Sequence, residues 1–327
     1  MFGEKYRLTA LLLGVCLFFT GCSANKQESI PAEDNKAVNI AVAWNNVRSY
    51  SFESTVAAAN ELDATITELP MLRSYDMEYD DDGMLVGAKD EHGILTTEAA
   101  KLVKTNTWQN SDVELVMQDI DAVIFPGGSD ICPTLYYSEQ AWHGIESDTD
   151  YSAERDVSDY ILMSYCLEKD IPILAICRGM QMLSVVSGAD IIQDIGRWYN
   201  AQGVAYEHTH RDPEKKTFCS HSIDIVSDDS LIYSITGQRA LTDCPSWHHQ
   251  AVGDISGTRL TVTARTVSNG IEIIEAVERK DKTFCLGVQF HPEVAVRKVL
   301  DKADDAADFM EYDAAMSFFR ALESQCR

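Results

Sequence analysis

Short apolar runs alternate with stretches of helical periodicity over most of the chain. Val38–Ala43 and Ala64–Leu69 read as strands flanking a helical stretch near Phe52–Leu62. Asp121–Phe125 and Ile171–Ile176 are further buried-strand candidates, each preceded by a helical pattern, Asp112–Asp119 and Glu154–Glu168. Strands separated by helices predict an α/β fold, a mostly parallel sheet with helices on both faces. The later part changes character. Thr217–Val226, Arg259–Arg265 and Ile271–Val277 read as strands without intervening helices, which predicts an antiparallel extension of the sheet. Phe284–Phe290 is a last strand and Ala306–Ser324 a closing helix, and no internal repeat is apparent. Met71–Asn110 breaks the alternation. It carries the turn signal Asp80-Asp81-Asp82-Gly83 and predicts a hairpin and a short helix. Leaving from the carboxyl end of its strand, this 71–110 insertion is expected near the active site.

The first residues follow a different logic. Lys5 and Arg7 precede an apolar run, Leu8 to Thr20, that is too short to span a bilayer as a helix. Phe19-Thr20-Gly21-Cys22 then gives way to polar residues, a pattern that resembles a bacterial lipoprotein signal, with Phe19 where such signals usually carry Leu. The expectation is a signal peptide at 1–21 and lipidation of Cys22. A polar tether at 22–37 and one domain at 38–327 would follow. That address is extracytoplasmic, on the bacterial cell membrane through an N-terminal lipid anchor. The net charge of −25 is spread along the chain and repels nucleic acid and anionic lipid surfaces, so neither is an expected partner. The reading leaves a homodimer open.

Nine cysteines have to be sorted. Cys16 and Cys22 belong to the leader, and no CxxC pair suggests a structural zinc site. His208-Thr209-His210 is expected on a solvent-exposed loop rather than as a metal pair, and no metal or cofactor is predicted. Cys177 stands apart. The apolar strand Ile171–Ile176 runs straight into it, Ala175 and Gly179 lie two residues to either side, and a helical stretch to Ser187 follows. That is the layout of a nucleophile elbow, with the thiol at a helix N-terminus and the Arg178 N–H aimed into the same space. Gly287-Val288-Gln289-Phe290-His291-Pro292-Glu293 supplies a base, His291, and an orienting carboxylate, Glu293. Pro126-Gly127-Gly128-Ser129-Asp130 follows another strand and offers the Gly128 N–H as a second oxyanion donor.

Together these three strand-end motifs resemble class I glutamine amidotransferase-like proteins, most closely the free-standing γ-glutamyl-γ-aminobutyrate hydrolase branch. Arg155-Asp156, Ser220-His221, Ser246-Trp247-His248-His249-Gln250 and Ile274-Glu275-Ala276-Val277 add to the resemblance, which spans roughly residues 38–325. It implies a flavodoxin-like class I glutamine amidotransferase fold and a Cys177–His291–Glu293 triad working through a γ-glutamyl thioester without a cofactor. By position it puts Gln181 against the substrate and His248, His249 and Gln250 in the pocket wall, although His248-His249 reads equally well as a structural pair. The sequence departs from the branch in Ala175, in Cys132, in the long 71–110 segment and in its leader.

The expected activity is therefore hydrolysis of γ-glutamyl amides in small γ-glutamyl amines or peptides. A glutaminase or broader cysteine peptidase is the alternative within enzymes. A non-catalytic lipoprotein that binds γ-glutamyl ligands is the alternative outside them.

Overall fold

The computed structural model describes residues 37–143, 149–212, 214, 215 and 217–326. The leader, Cys22 and the tether up to residue 36 lie outside the described residues. Residues Ala37–Arg327 form one compact unit. Its first half alternates strands and helices: β1 (Asn39–Val42), α1 (Tyr50–Ala59), β2 (Thr65–Glu68), α2 (Thr97–Asn106), α3 (Val113–Val116), β3 (Ala122–Phe125), α4 (Ala153–Lys169), β4 (Ile173–Ile176) and α5 (Arg178–Val186). A short β5 (Ile191–Ile192) and α6 (Ile195–Ala201) lead to β6 (Cys219–Ile225), α7 (Leu231–Thr236), β7 (Ala240–Ser246) and β8 (Ala251–Val252). The chain closes with β9 (Thr261–Ser268), β10 (Ile271–Glu278), β11 (Cys285–Val288), α8 (Pro292–Leu300) and α9 (Tyr312–Ser324).

One nine-stranded sheet runs β2-β1-β3-β4-β11-β10-β9-β6-β7. The first five strands in that order pair in parallel, and the last four extend the sheet by antiparallel pairing. This is the mostly parallel α/β sheet with an antiparallel extension that the hydrophobic pattern predicts. Period-two alternation explains the two layers. Val123, Phe125, Ile173 and Ala175 face one core with α2, α4 and α5, while Ala122, Ile124, Leu174 and Ile176 face a second core with α1, α8 and α9. Central strands buried on both faces read as continuous apolar runs, which is why β3 and β4 are legible without context. The β9–β10 hairpin turns on Asn269-Gly270, both with positive φ, the residue pair that a tight hairpin favours.

Several elements depart from expectation. The stretch Ala306–Ser324 is not one helix, because a 3₁₀ turn at Ala306–Asp308 precedes α9. Helices α6, α7 and α8 and strands β5, β7 and β8 escape the pattern, being short or mixed in polarity. The 71–110 segment does contain a helix, α2, together with two tandem turns. Tyr79 bridges Leu85 and Lys89 bridges Leu95. In the first turn the Asp80 carboxylate accepts from the amides of Asp82 and Met84, and in the second Asp90 accepts from His92 and Ile94 in the same way. Asp80-x-x-Gly-x-Leu and Asp90-x-x-Gly-x-Leu are thus a short local repeat that the reading of the sequence passes over. The segment is tied to α4, where Glu154 accepts from the Leu85 amide and pairs with Lys89.

Candidate active site

The carboxyl ends of β3, β4 and β11 bring the three motifs together. Cys177 sits between β4 and α5 with φ +51° and ψ −105°, a backbone that L-residues rarely adopt. Strain of this kind costs about 1–3 kcal/mol and persists only where the surrounding structure enforces it. Here the Cys177 amide donates to the Val288 carbonyl at 2.7 Å, so β11 locks the turn. Gly179 is required on steric grounds, because a Cβ there would lie 2.4 Å from the Phe125 carbonyl oxygen. Helix α5 can therefore start hard against β3, and the Arg178 N–H begins it.

His291 caps α8 and Pro292 occupies its first turn, where a missing N–H costs nothing. The His291 Nδ1–H donates to Glu293 Oε1 at 2.6 Å, and both residues are buried. Burial pulls the imidazole pKa down, but the Glu293 carboxylate and the Cys177 sulfur outweigh it and lift it to about 10. Nδ1 is committed to Glu293, which leaves Nε2 for the Cys177 sulfur. Ser51, in the first turn of α1, donates its hydroxyl to the same Glu293 oxygen at 2.8 Å. Sequence reading misses Ser51, since nothing local marks a serine whose partner lies 242 residues away. It also misses Gln289, whose side-chain amide donates to the Cys177 sulfur at 3.4 Å.

The glycine loop after β3 rests on a buried arginine. Arg155 donates to the carbonyls of Pro126 and Gly127, each at 2.9 Å. Gly128 has φ +145°, and a Cβ on it would fall 1.8 Å from Arg155 Nη1, so only glycine fits. Arg155 belongs to a wholly buried charge network. Its Nε lies 3.4 Å from Asp159, while Arg178 pairs with Asp156 at 2.5 Å and with Asp159. Asp156 also accepts from the Cys132 amide at 2.8 Å. Two arginines and two aspartates thus fasten the glycine loop to α4 and α5, which gives Arg155-Asp156 a physical role.

Two adjoining cavities, of about 100 and 270 Å³, share Gly128, Asp150, Cys177 and Trp247. The smaller is polar and is lined by Gln181, Arg211, His248, His249, Gln250 and Asp130. The larger is bounded by Tyr50, Phe218, Ser51 and His291. Gln181, His248, His249 and Gln250 all lie along the smaller cavity beside Cys177. Gln181 donates to the Gln250 carbonyl at 3.2 Å and to Gln289 at 3.3 Å. The Gln250 amide is buried with neither oxygen nor nitrogen hydrogen-bonded. His249 is held by Asp130 at 3.1 Å and Asp194 at 3.5 Å, while His248 Nδ1 donates to the Gln250 carbonyl at 2.8 Å. No residue of 71–110 lines either cavity, but the segment packs on α4 and, through Gly93 and Leu95, against Tyr151 and Cys132, next to the cavity residues Asp150 and Asp130.

The histidine pair at 208–210 corrects an expectation. His208 is exposed, but His210 is fully buried with Glu275 at 3.3 Å, so a carboxylate stands beside it after all. The long sequence separation of Glu275 hides that contact. The seven described cysteines are all free thiols, and no described helix is long and apolar enough to cross a membrane.

Residues 91–293 match the Peptidase C26 family. Protein NtpR of Enterococcus hirae is 33% identical over 178 residues, 54% of this chain and 69% of that protein. The γ-glutamyl-γ-aminobutyrate hydrolase PuuD of Escherichia coli K12 is 31% identical over 186 residues, 55% of this chain and 67% of that protein. Among solved structures, a glutamine amidotransferase of Thermotoga maritima aligns over 89% of this chain and 98% of its own at 15% identity, with a TM-score of 0.48. The chain belongs to the Peptidase C26 family, among the glutamine amidotransferase-like hydrolases.

Proposed function

We propose that the protein hydrolyses γ-glutamyl amide bonds through a thioester on Cys177. The observation that carries this reading is the position of Cys177 on the wall between a polar cavity and an aromatic one. The polar side suits a glutamyl head group. Arg211 would take the α-carboxylate, and Asp130 and Asp150 the α-ammonium, with Gln181 and Gln250 completing the amide contacts. The aromatic side, with Tyr50, Phe218 and Trp247, suits the leaving amine, and His291 stands on that side. The Escherichia coli relative PuuD is likewise a hydrolase of a γ-glutamyl amide, γ-glutamyl-γ-aminobutyrate.

In the first step the Cys177 thiolate attacks the γ-carbonyl carbon. The N–H groups of Gly128 and Arg178 hold the oxyanion. His291, carrying the proton that the thiol gave up, transfers it to the departing nitrogen as the C–N bond breaks. Water then attacks the thioester carbonyl. His291 takes its proton, the C–S bond breaks, and glutamate leaves. Glu293, steadied by Ser51, orients the ring and stabilises the imidazolium.

The test is product analysis with the purified 23–327 chain on γ-glutamyl amines, γ-glutamyl peptides, glutamine and an α-glutamyl amide. Turnover of the γ-linked amines and peptides, lost in Cys177→Ser, supports the proposal. Turnover of glutamine alone points to a glutaminase, and tight binding without turnover points to a binding protein. We also propose a membrane address through lipidation of Cys22, supported by the leader and tether pattern. An unlipidated mature N-terminus by mass spectrometry would refute that address.

A further inference from the structure

Behind the Cys177 pocket the fold buries four polar side chains together. They are His210 on the loop after α6, His221 on β6, His248 on the β7–β8 corner and Glu275 on β10. Six of their atoms lack a hydrogen-bond partner: both nitrogens of His210, Nε2 of His221, Nε2 of His248 and both oxygens of Glu275. Buried polar atoms are almost always partnered, so this concentration in one place needs a partner of its own.

The tautomers are set from outside the cluster. His221 Nδ1 lies 3.2 Å from the Ser222 carbonyl and His248 Nδ1 lies 2.8 Å from the Gln250 carbonyl. A carbonyl only accepts, so each Nδ1 carries the hydrogen and each Nε2 turns a lone pair inward. Metal-ligating histidines are oriented in this way by the group behind them. One ligand atom from each of the four residues lies within 4.8 Å of the other three. Tetrahedral zinc, with bonds of about 2.0–2.1 Å, sets its ligands about 3.3 Å apart. The separations from Glu275 Oε1 to His210 Nδ1 and to His221 Nε2 are already 3.3 and 3.7 Å.

We propose that His210, His221, His248 and Glu275 form a closed four-ligand site for a divalent transition-metal ion of the zinc class. Three imidazoles and one carboxylate suit such an ion, whereas magnesium and calcium prefer oxygen ligands throughout. All four side chains are buried, and their unpartnered ligand atoms gather in one place. With four protein ligands the ion has a structural role. It ties the loop at 203–212, β6 and β10 to the His248–Gln250 segment that walls the polar cavity.

Metal analysis of the full purified chain tests this. About one zinc per chain is expected, and the metal-free protein should regain it from a zinc buffer. Melting should rise by about 5 °C or more at zinc a hundredfold above its Kd, and not with magnesium. Cys177→Ala should keep the ion, because the proposed ligands exclude the nucleophile. His221→Ala and Glu275→Gln should each lose stoichiometric zinc. If those two variants fail to fold, uptake by metal-free wild type and by Cys177→Ala decides. No zinc uptake by the wild type would overturn the proposal and leave the cluster to water and protons. Zinc lost in Cys177→Ala, or retained in a folded His221→Ala, would also overturn it.

Discussion

The orientation of His291 by Glu293 makes a demanding prediction. The variant Glu293→Gln keeps an oxygen able to accept from Nδ1 at the observed 2.6 Å and from Ser51 at 2.8 Å, but removes the charge. In the wild type the imidazolium pKa of about 10 is set against burial by Glu293 and Cys177 together. Relative to an ordinary histidine near 6.5, that is a preference for the protonated ring of about 5 kcal/mol. Glu293 heads the interactions that raise it, with Cys177 next, so the preference should shrink when the carboxylate charge is removed. We expect kcat/KM to fall by about 10²–10⁴, the range for general acid–base catalysis. The alkaline limb of the rate profile should move to lower pH, because less imidazolium remains to protonate the leaving amine. Stability should respond with a definite sign. A histidine whose pKa is raised on folding stabilises the fold fully below about 6.5 and loses that contribution as pH rises through about 10. Wild-type melting temperature should therefore decline across this window, and Glu293→Gln should start lower at neutral pH and decline less. Initial rates on a γ-glutamyl p-nitroanilide between pH 5 and 10, with thermal melts in the same buffers, measure both effects. A Glu293→Gln enzyme within threefold of wild type, with an unmoved alkaline limb, would refute the reasoning.

Three further outcomes follow from the same geometry. Cys177→Gly should be inactive yet more stable than Cys177→Ala by about 1 kcal/mol in chemical denaturation, because φ +51° suits only glycine; an Ala variant as stable as Gly would remove the strain argument. Arg155→Met strands the Pro126 and Gly127 carbonyls and leaves the aspartates of α4 with one cation, so a loss of about 2–4 kcal/mol in denaturant titration is expected. Ser51→Ala removes one hydrogen bond to the Glu293 carboxylate, for which a fall in kcat of about tenfold with little change in KM is the expected readout.

The sequence by itself determined the parts of this protein that depend on near neighbours. Strands β3 and β4 are continuous apolar runs because both faces are covered. Cys177, His291-Pro292-Glu293 and Gly127-Gly128 each announce themselves because a sharp turn at a strand end demands particular residue types within a few positions. The parallel half also follows from strands separated by helices, whereas α7 between β6 and β7 and the return of β11 to the parallel half do not show in the pattern. Tertiary structure alone decided what lies across space. It brought Ser51 to Glu293 and Gln289 to the sulfur, and it set Arg155 beneath the glycine loop. It drew His210 out of an apparently polar loop into contact with Glu275. It also placed the 71–110 segment over α4, behind the cavity wall rather than in it. The physical reason is common to these cases. A buried polar side chain is recognised by its partner, and when that partner comes from a distant strand no local periodicity encodes the pair.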